Sequence, residues 1–276
     1  MTDTSLEEKN QNLQNNFYTL SIRLMPNGFS FSRYDLRKDD SFSYQKTVFP
    51  QGTSYIHALE DAVLNNELML QPYKEVNIIV VSEHFTLIPK ILDSSSARES
   101  FYNLNIESDK EVILDNELRQ TGMVNVFGIE REIYGFICRT FLSPRFYHHL
   151  SVLSEYFYQK SRIGNNAKMI CQTRNNIIDI LCFEKGRLIL ANTFRYYNIK
   201  DAAYLILNGW QQVAFDARKD TLQITGDNAL TKQIQQVIRP YLANIEPIVF
   251  PTQFLKYGEA TINAPFDMIA LPLCDI

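Results

Sequence analysis

The sequence predicts an α/β chain of two lobes, each built as three antiparallel strands, a helix and a buried strand. Alternating segments from Phe17 to Phe49 are interrupted by turn residues at Pro26-Asn27-Gly28 and again at 36–40, which is hairpin patterning. The run VNIIVV, Val76 to Val81, is almost wholly apolar, as in a strand covered on both faces in the middle of a sheet. The same order then recurs. The turns Asn27-Gly28 and Asn175-Asn176 lie 148 residues apart, and the helix starts Ser54 and Ile199 lie 145 apart. A near-constant offset of this kind is the trace of a duplicated architecture.

Residues 1–16 contain almost no apolar anchor and read as a mobile tail, and the first lobe spans 17–162. Phe17 to Met25 and Phe29 to Asp35 make the opening hairpin, and Phe42 to Phe49 the third strand, closed by Pro50. Ser54 caps a helix to Asn66 in which Ile56, Leu59, Val63 and Leu64 have helical spacing. After the buried strand, further strands are read over 111–118, 122–127 and 133–138. Ser143 as N-cap with Pro144 at the first helical position predicts a helix to about Arg162, with Phe146, Leu150, Leu153 and Phe157 as its apolar stripe. The second lobe, 163–250, opens with the strands AKMICQT, IIDILCF and RLILANTF. A helix from Ile199 to Val213 follows, capped by Asn198, then a strand at Thr221 to Gly226, a helix at 228–239 and a last strand, IEPIVF. Residues 251–276 read as an irregular C-terminal tail.

Composition narrows the function classes. The 276 residues are 45% hydrophobic and 21% charged, which fits a globular chain able to bury a core. With 27 Lys+Arg against 31 Asp+Glu the net charge is −4, so no basic excess points to a nucleic-acid partner. No apolar run approaches the ~18 residues of an integral membrane segment. The polar N-terminus lacks the apolar region of a secretory signal, which predicts a cytoplasmic protein. Cys138, Cys171, Cys182 and Cys274 are widely spaced, form no CxxC pair and read as buried small hydrophobes. Tyr156-Phe157-Tyr158 and Tyr196-Tyr197 exceed what one stripe can bury, leaving tyrosines for a protein interface.

The duplicated three-strand, helix, strand plan around an interlobe cleft resembles the actin-like ATPase fold. That ribonuclease-H-like superfamily includes sugar kinases, Hsp70 and the bacterial proteins FtsA and PilM. In detail, LSIRLMPNGFSFSRYD at Leu20 to Asp35, FTLIP at Phe85 to Pro89 and the stretch from Asn198 to Gly226 resemble an uncharacterised bacterial domain-of-unknown-function family. The likeness to actin-like ATPases implies two facing hairpin turns, usually Asp-x-Gly, that cradle phosphates and anchor hydrated Mg²⁺, with a Gly-Gly after the fourth strand of the second lobe. Here the first turn, Arg23 to Gly28, contains no acid. The second, Thr173-Arg174-Asn175-Asn176, has neither Asp nor Gly, and Ile224-Thr225-Gly226-Asp227 offers a single glycine. The ligand-cleft candidates are therefore Arg23, Asn27, Gly28, Arg174, Asn175, Gly226 and Asp227, and the two arginines would favour an anion. If Arg23 points into the sheet it must be paired, and its role is structural.

No catalytic residue, metal ligand or cofactor is assigned. His148-His149 are adjacent, which places one in packing and one in solvent, whereas a metal site wants i, i+4 spacing and a carboxylate. Glu83-His84 follows the buried strand, where open α/β sheets border ligand crevices, and is a general acid–base candidate with no partner acid in view. Ser94-Ser95-Ser96 caps the helix carrying Phe101, and no GxSxG, P-loop or GxGxxG string occurs. The expected function is a non-catalytic actin-fold binding or scaffold protein, a pseudo-ATPase with a degenerate nucleotide site and an unidentified protein partner. One alternative is an ATP-dependent assembly protein similar to FtsA or PilM, although the C-terminal APFDMIALPLCDI, broken by two prolines, supplies no amphipathic anchor. A second is an accessory factor for an RNA-modifying or other enzyme.

Overall fold

The computed structural model describes residues 17–106, 109–174, 176–226 and 228–276. The chain divides into two compact units. The first holds the described residues up to Asn116 together with Val124–His149 and Pro251–Pro272, and the second holds Glu117–Met123, Leu150–Phe250 and Leu273–Ile276.

In chain order the first half contains β1 (Thr19–Met25), β2 (Gly28–Tyr34), β3 (Ser43–Val48), α1 (Tyr55–Leu64), β4 (Glu75–Val80), β5 (Phe85–Pro89) and α2 (Ser95–Asn105). It continues with β6 (Glu111–Leu118), β7 (Met123–Glu130), α3 (Arg131–Thr140) and β8 (Arg145–His148). The main sheet runs β3-β2-β1-β4-β8. Its first three strands are antiparallel, and β4 and β8 are added in parallel. Period-two alternation divides its faces. Leu20, Ile22, Leu24, Phe29, Phe31, Ile78 and Val80 turn to one side and pack on Leu59 and Val63 of α1 and on Ile133, Phe136 and Ile137 of α3. The other side is polar although buried: Ser21 lies opposite Ser32 and beside Asn77, and Arg23 lies opposite Ser30. A smaller sheet, β5-β7-β6, packs with α2 around Ile88, Tyr102, Val124 and Val126.

The second half contains α4 (His149–Ser161), β9 (Lys168–Arg174), β10 (Ile177–Glu184), β11 (Arg187–Arg195), α5 (Ile199–Gln212), β12 (Thr221–Gly226), α6 (Asn228–Ile238) and β13 (Asn244–Pro247). Its sheet, β11-β10-β9-β12-β13, repeats the first strand for strand, with β12 and β13 again parallel additions. Met169, Cys171, Ile180, Cys182 and Leu222 pack on Ala202, Ile206 and Trp210 of α5 and on Ile234 and Ile238 of α6. The buried Lys168 begins β9 and sends its ammonium back to the carbonyls of Lys160 (3.2 Å), Ser161 (3.3 Å) and Ile163, where a cation complements the C-terminal end of α4.

Several sequence expectations are corrected. Residues 133–138 are helical, because Ile133, Phe136 and Ile137 recur at i, i+3 and i+4 and form the buried stripe of α3. The helix expected from Ser143-Pro144 begins only at His149. Arg145–His148 instead runs parallel to β4 as a fifth strand, and Ser143 has φ +46° rather than the extended backbone of an N-cap. The expected C-terminal tail is structured: a 3-10 turn (Thr252–Tyr257), α7 (Ala260–Asn263), α8 (Phe266–Ala270) and a second 3-10 turn (Leu271–Leu273) bury Phe254, Tyr257, Met268 and Ile269. Cys171 and Cys182 are buried, but Cys138 is exposed and Cys274 partly so. The tail expected over 1–16 lies outside the described residues.

Candidate functional site

Each unit carries one hairpin turn at the place where the sequence put a phosphate cradle, and each turn is occupied by contacts of its own unit. In the first, Gly28 has φ +152° and a Cβ there would stand 2.2 Å from the Thr47 carbonyl oxygen, so only glycine lets β2 approach β3 this closely. The Asn27 carbonyl accepts from the Phe49 amide at 2.9 Å and the Gly28 carbonyl accepts from the Tyr55 hydroxyl at 3.0 Å. Asn27 itself is exposed. Arg23 lies on β1 and points into the buried polar face, where its Nε donates to both oxygens of Asp267 on α8 at 2.8 Å; the two side chains are 1% and 0% exposed.

In the second unit, Arg174 ends β9 and donates through Nη2 to the buried Asp179, which also accepts from the Thr193 hydroxyl at 2.9 Å. The Arg174 carbonyl accepts from the Tyr196 hydroxyl at 2.8 Å. Gly226 ends β12 opposite Thr173 with φ +135°, and a Cβ there would meet the Thr173 carbonyl at 2.0 Å. Thr173 Oγ1 donates to the Thr225 carbonyl at 3.1 Å and lies 3.0 Å from Thr231 Oγ1, which ties the two strand ends to α6. Arg174 and Gly226 thus belong to neighbouring strands of one unit, and Arg23, Asn27 and Gly28 to one turn region of the other. Asn175 and Asp227 lie outside the described residues.

A second constellation was only half visible in the sequence. His84 is half exposed and its Nδ1 lies 2.8 Å from Glu111 Oε1; the Tyr102 hydroxyl donates to Glu111 Oε2 at 2.6 Å. Burial and the Glu111 carboxylate raise the Tyr102 pKa above its ordinary value, so the phenol stays protonated and holds Glu111 in place. A Cβ at Gly128 would lie 2.0 Å from the Tyr102 hydroxyl, so this glycine makes the room in which the relay forms. Glu111 is 27 residues from His84 on a strand of another pattern, and nothing local in the sequence signals the pair.

His148 and His149 are both buried, against the expectation of one in solvent. His148 Nε2 meets the Ser82 carbonyl at 3.0 Å, its Nδ1 lies 3.1 Å from Asn125 Nδ2, and His149 Nδ1 meets the Val80 carbonyl at 3.3 Å. An amide donor at Nδ1 and a carbonyl at Nε2 suit one neutral tautomer, which is a packing role. Glu155 on α4 is buried and accepts from the Gln120 amide at 3.2 and 3.4 Å; burial pushes its carboxyl up to about 7 against the lowering by those N–H groups. Among the described residues no three His, Cys, Asp or Glu side chains are grouped to hold a metal ion, and no helix is long and apolar enough to cross a membrane.

Comparison with known proteins agrees with this geometry. The sequence matches the family described as protein of unknown function (DUF3822) over residues 7–245. A Bacteroides thetaiotaomicron protein with actin-like ATPase fold and unknown function is 31% identical, with a TM-score of 0.85 over 95% of this chain and 98% of its own. A chain of the PilM-PilN type IV pilus biogenesis complex is similar in fold at 8% identity, with a TM-score of 0.58 over 92% of this chain and 98% of its own. No curated protein matches the sequence.

Proposed function

We propose that this chain, which belongs to the DUF3822 family of proteins of unknown function and has an actin-like ATPase fold, works as a binding or scaffold protein and not as an ATPase. One observation carries the reading. Neither hairpin turn bears a carboxylate, and the acids bound to the arginines of β1 and β9, Asp267 and Asp179, are each committed to a buried ion pair. Hydrated Mg²⁺ needs oxygen ligands that carboxylates hold in place, so these residues do not fit Mg·ATP. Protein partners suit the surface better. Tyr197, Tyr204 and Tyr241 of the second unit are 89%, 65% and 62% exposed, and tyrosine is favoured at interfaces because it adds apolar area with a polar tip.

The test is a thermal-shift and calorimetric titration with Mg·ATP to millimolar concentration. No binding heat and no change in Tm are expected. A site filled at a hundredfold excess over Kd would stabilise the protein by about 2.7 kcal/mol, so a clear upward shift would overturn this reading. A fold likeness to a chain solved with a protein partner favours a second form of the reading, in which the protein recruits others during an assembly process at a bacterial cytoplasmic site. Capture of a defined stoichiometric partner by the wild-type chain, lost on Tyr197→Ala/Tyr204→Ala, is its expected signature.

A further inference from the structure

The chain has four histidines, and the structure treats them in three ways. His148 and His149 are buried, and both ring nitrogens of His148 are engaged, one with Asn125 and one with the Ser82 carbonyl. His57 lies on the exposed side of α1, where no carboxylate is bonded to it. Only His84 combines access with a built partner: its side chain is half exposed, yet Nδ1 sits 2.8 Å from Oε1 of the largely buried Glu111.

The partner decides which nitrogen is available. Glu111 Oε2 already accepts from the Tyr102 hydroxyl at 2.6 Å, and a carboxylate has no proton to give, so Nδ1 carries the hydrogen of the pair. The lone pair of the neutral ring is then on Nε2, which nothing bonds among the described residues. The backbone is pinned as well: the His84 amide donates to Ser82 Oγ at 2.9 Å, and the His84 carbonyl accepts from the Gly128 amide at 3.2 Å. This fixes the ring just past the carboxyl end of β4, which runs parallel to β1 and β8, and ligands of open α/β sheets bind outside such strand ends. Two exposed cations belong to the same strand pair. The Arg131 amide donates to the Lys110 carbonyl at 2.9 Å, and Arg131 Nη2 donates to the Glu111 carbonyl at 3.2 Å, so an anionic reagent meets positive charge beside the carboxylate.

A carboxylate behind an imidazole matters most when reaction leaves the ring charged. Attack through Nε2 while Nδ1 keeps its hydrogen gives a substituted imidazolium, and Glu111 is already in hydrogen-bond contact with the atom that shares that charge. We propose that His84 is a phosphoryl-accepting residue, which takes the group onto Nε2 from a small anionic donor of the phosphoramidate class. In that step the Nε2 lone pair forms the new N–P bond and the P–N bond of the donor breaks. The amine, protonated by water before it departs, leaves with the electron pair of the broken bond. His57 would form the same cation with no anion to offset it. The inference rests on the His84 cluster alone and is independent of the reading of the nucleotide turns.

Potassium phosphoramidate is the probe, added to the full chain at neutral pH. Mass spectrometry locates the phosphorylated histidine and phosphorus NMR the ring nitrogen. His84 is expected to be labelled at Nε2 about tenfold faster than His57 in the same sample, the scale of effect that an orienting carboxylate has on a histidine. Glu111→Gln is expected to remove that advantage at His84 and to leave the His57 rate unchanged, which makes His57 an internal clock for the reagent. If the pair serves only to satisfy a buried carboxylate, the two exposed histidines react alike. Equal rates in the wild type, a label on His84 Nδ1, or a Glu111→Gln chain that reacts as the wild type does would each overturn the proposal. Should Glu111→Gln fail to fold by circular dichroism, the wild-type ratio of His84 to His57 decides by itself.

Discussion

The two sheets share strand order and direction yet close their arginines in opposite ways. Arg174 finds Asp179 five residues along the same hairpin, and its side chain is 16% exposed. Arg23 is 1% exposed and finds Asp267 across 244 residues of chain. Duplication copied the topology but not the source of the counter-ion. The second unit can neutralise its arginine as soon as one hairpin has formed, whereas the first depends on a segment supplied from beyond the second.

The largest expected effect tests that difference directly. Asp267→Ala strands a fully buried guanidinium and is expected to cost about 3–5 kcal/mol in urea unfolding, because an uncompensated buried charge cannot reach water. Asp179→Ala is expected to cost about half as much, since Arg174 can turn to solvent. Equal losses would remove the contrast between the units. Where the backbone is duplicated, the units should respond alike: Gly28→Ala and Gly226→Ala each force a Cβ to within 2.2 Å or less of a neighbouring carbonyl, and a loss of about 1–3 kcal/mol is expected at both. A tolerated alanine at either site would show that only one turn needs its glycine.

The sequence carried the repeated order of three strands, helix and strand because alternation, turn residues and helical caps are local signals. Leu20, Ile22, Leu24 against Ser21, Arg23 is readable on seven consecutive residues. The α3 segment, IYGFIC, is a short apolar run that either a helix or a strand can bury, and only its packing on the first core decides the matter. Arg23 was legible as a residue that must be paired if it points into the sheet, but neither its direction nor its partner was, because an ion pair across 244 residues leaves no periodicity. The His84–Glu111–Tyr102 relay was hidden for the same reason. Of the candidate cleft residues, the two glycines were legible through turn chemistry, and the occupation of the surrounding carbonyls was not.

Acidity distinguishes the second unit further. Burial raises the Glu155 carboxyl to about 7, and Arg119 and Asp275 face it with opposing effects. A carboxyl whose folded value is raised holds its proton more tightly in the folded state, so stability is gained as pH falls from about 8 towards 5 and is lost as pH rises through 7. A change of about 1–2 kcal/mol in unfolding free energy across that window is expected, with the Gln120 and Thr121 amides better protected, relative to intrinsic base-catalysed exchange, once the carboxylate they bond has formed. Glu155→Gln should flatten both profiles, and an unchanged pH profile in that variant would assign the dependence elsewhere.

The smallest effect separates two equivalent helices. Asn198 caps α5 by accepting from the Lys200 and Asp201 amides at 2.9 and 3.1 Å, whereas Ser54 stands at the start of α1 without a side-chain cap bond. Asn198→Ala is expected to lower stability by about 1 kcal/mol and Ser54→Ala by no more than a few tenths, both by thermal unfolding. A comparable loss at Ser54 would reveal a cap that forms in solution.

The distance between Arg23 and Asp267 also sets a timetable on the ribosome. At a synthesis rate of about 5–20 residues per second, the first strand waits roughly 10–50 s before the codon for its counter-ion is read. Throughout that interval Arg23 stands without its carboxylate, and the nascent chain holds a cation that its own fold will later bury. A chain that stops short of Asp267 holds two well-patterned sheets and an arginine with nothing to neutralise it.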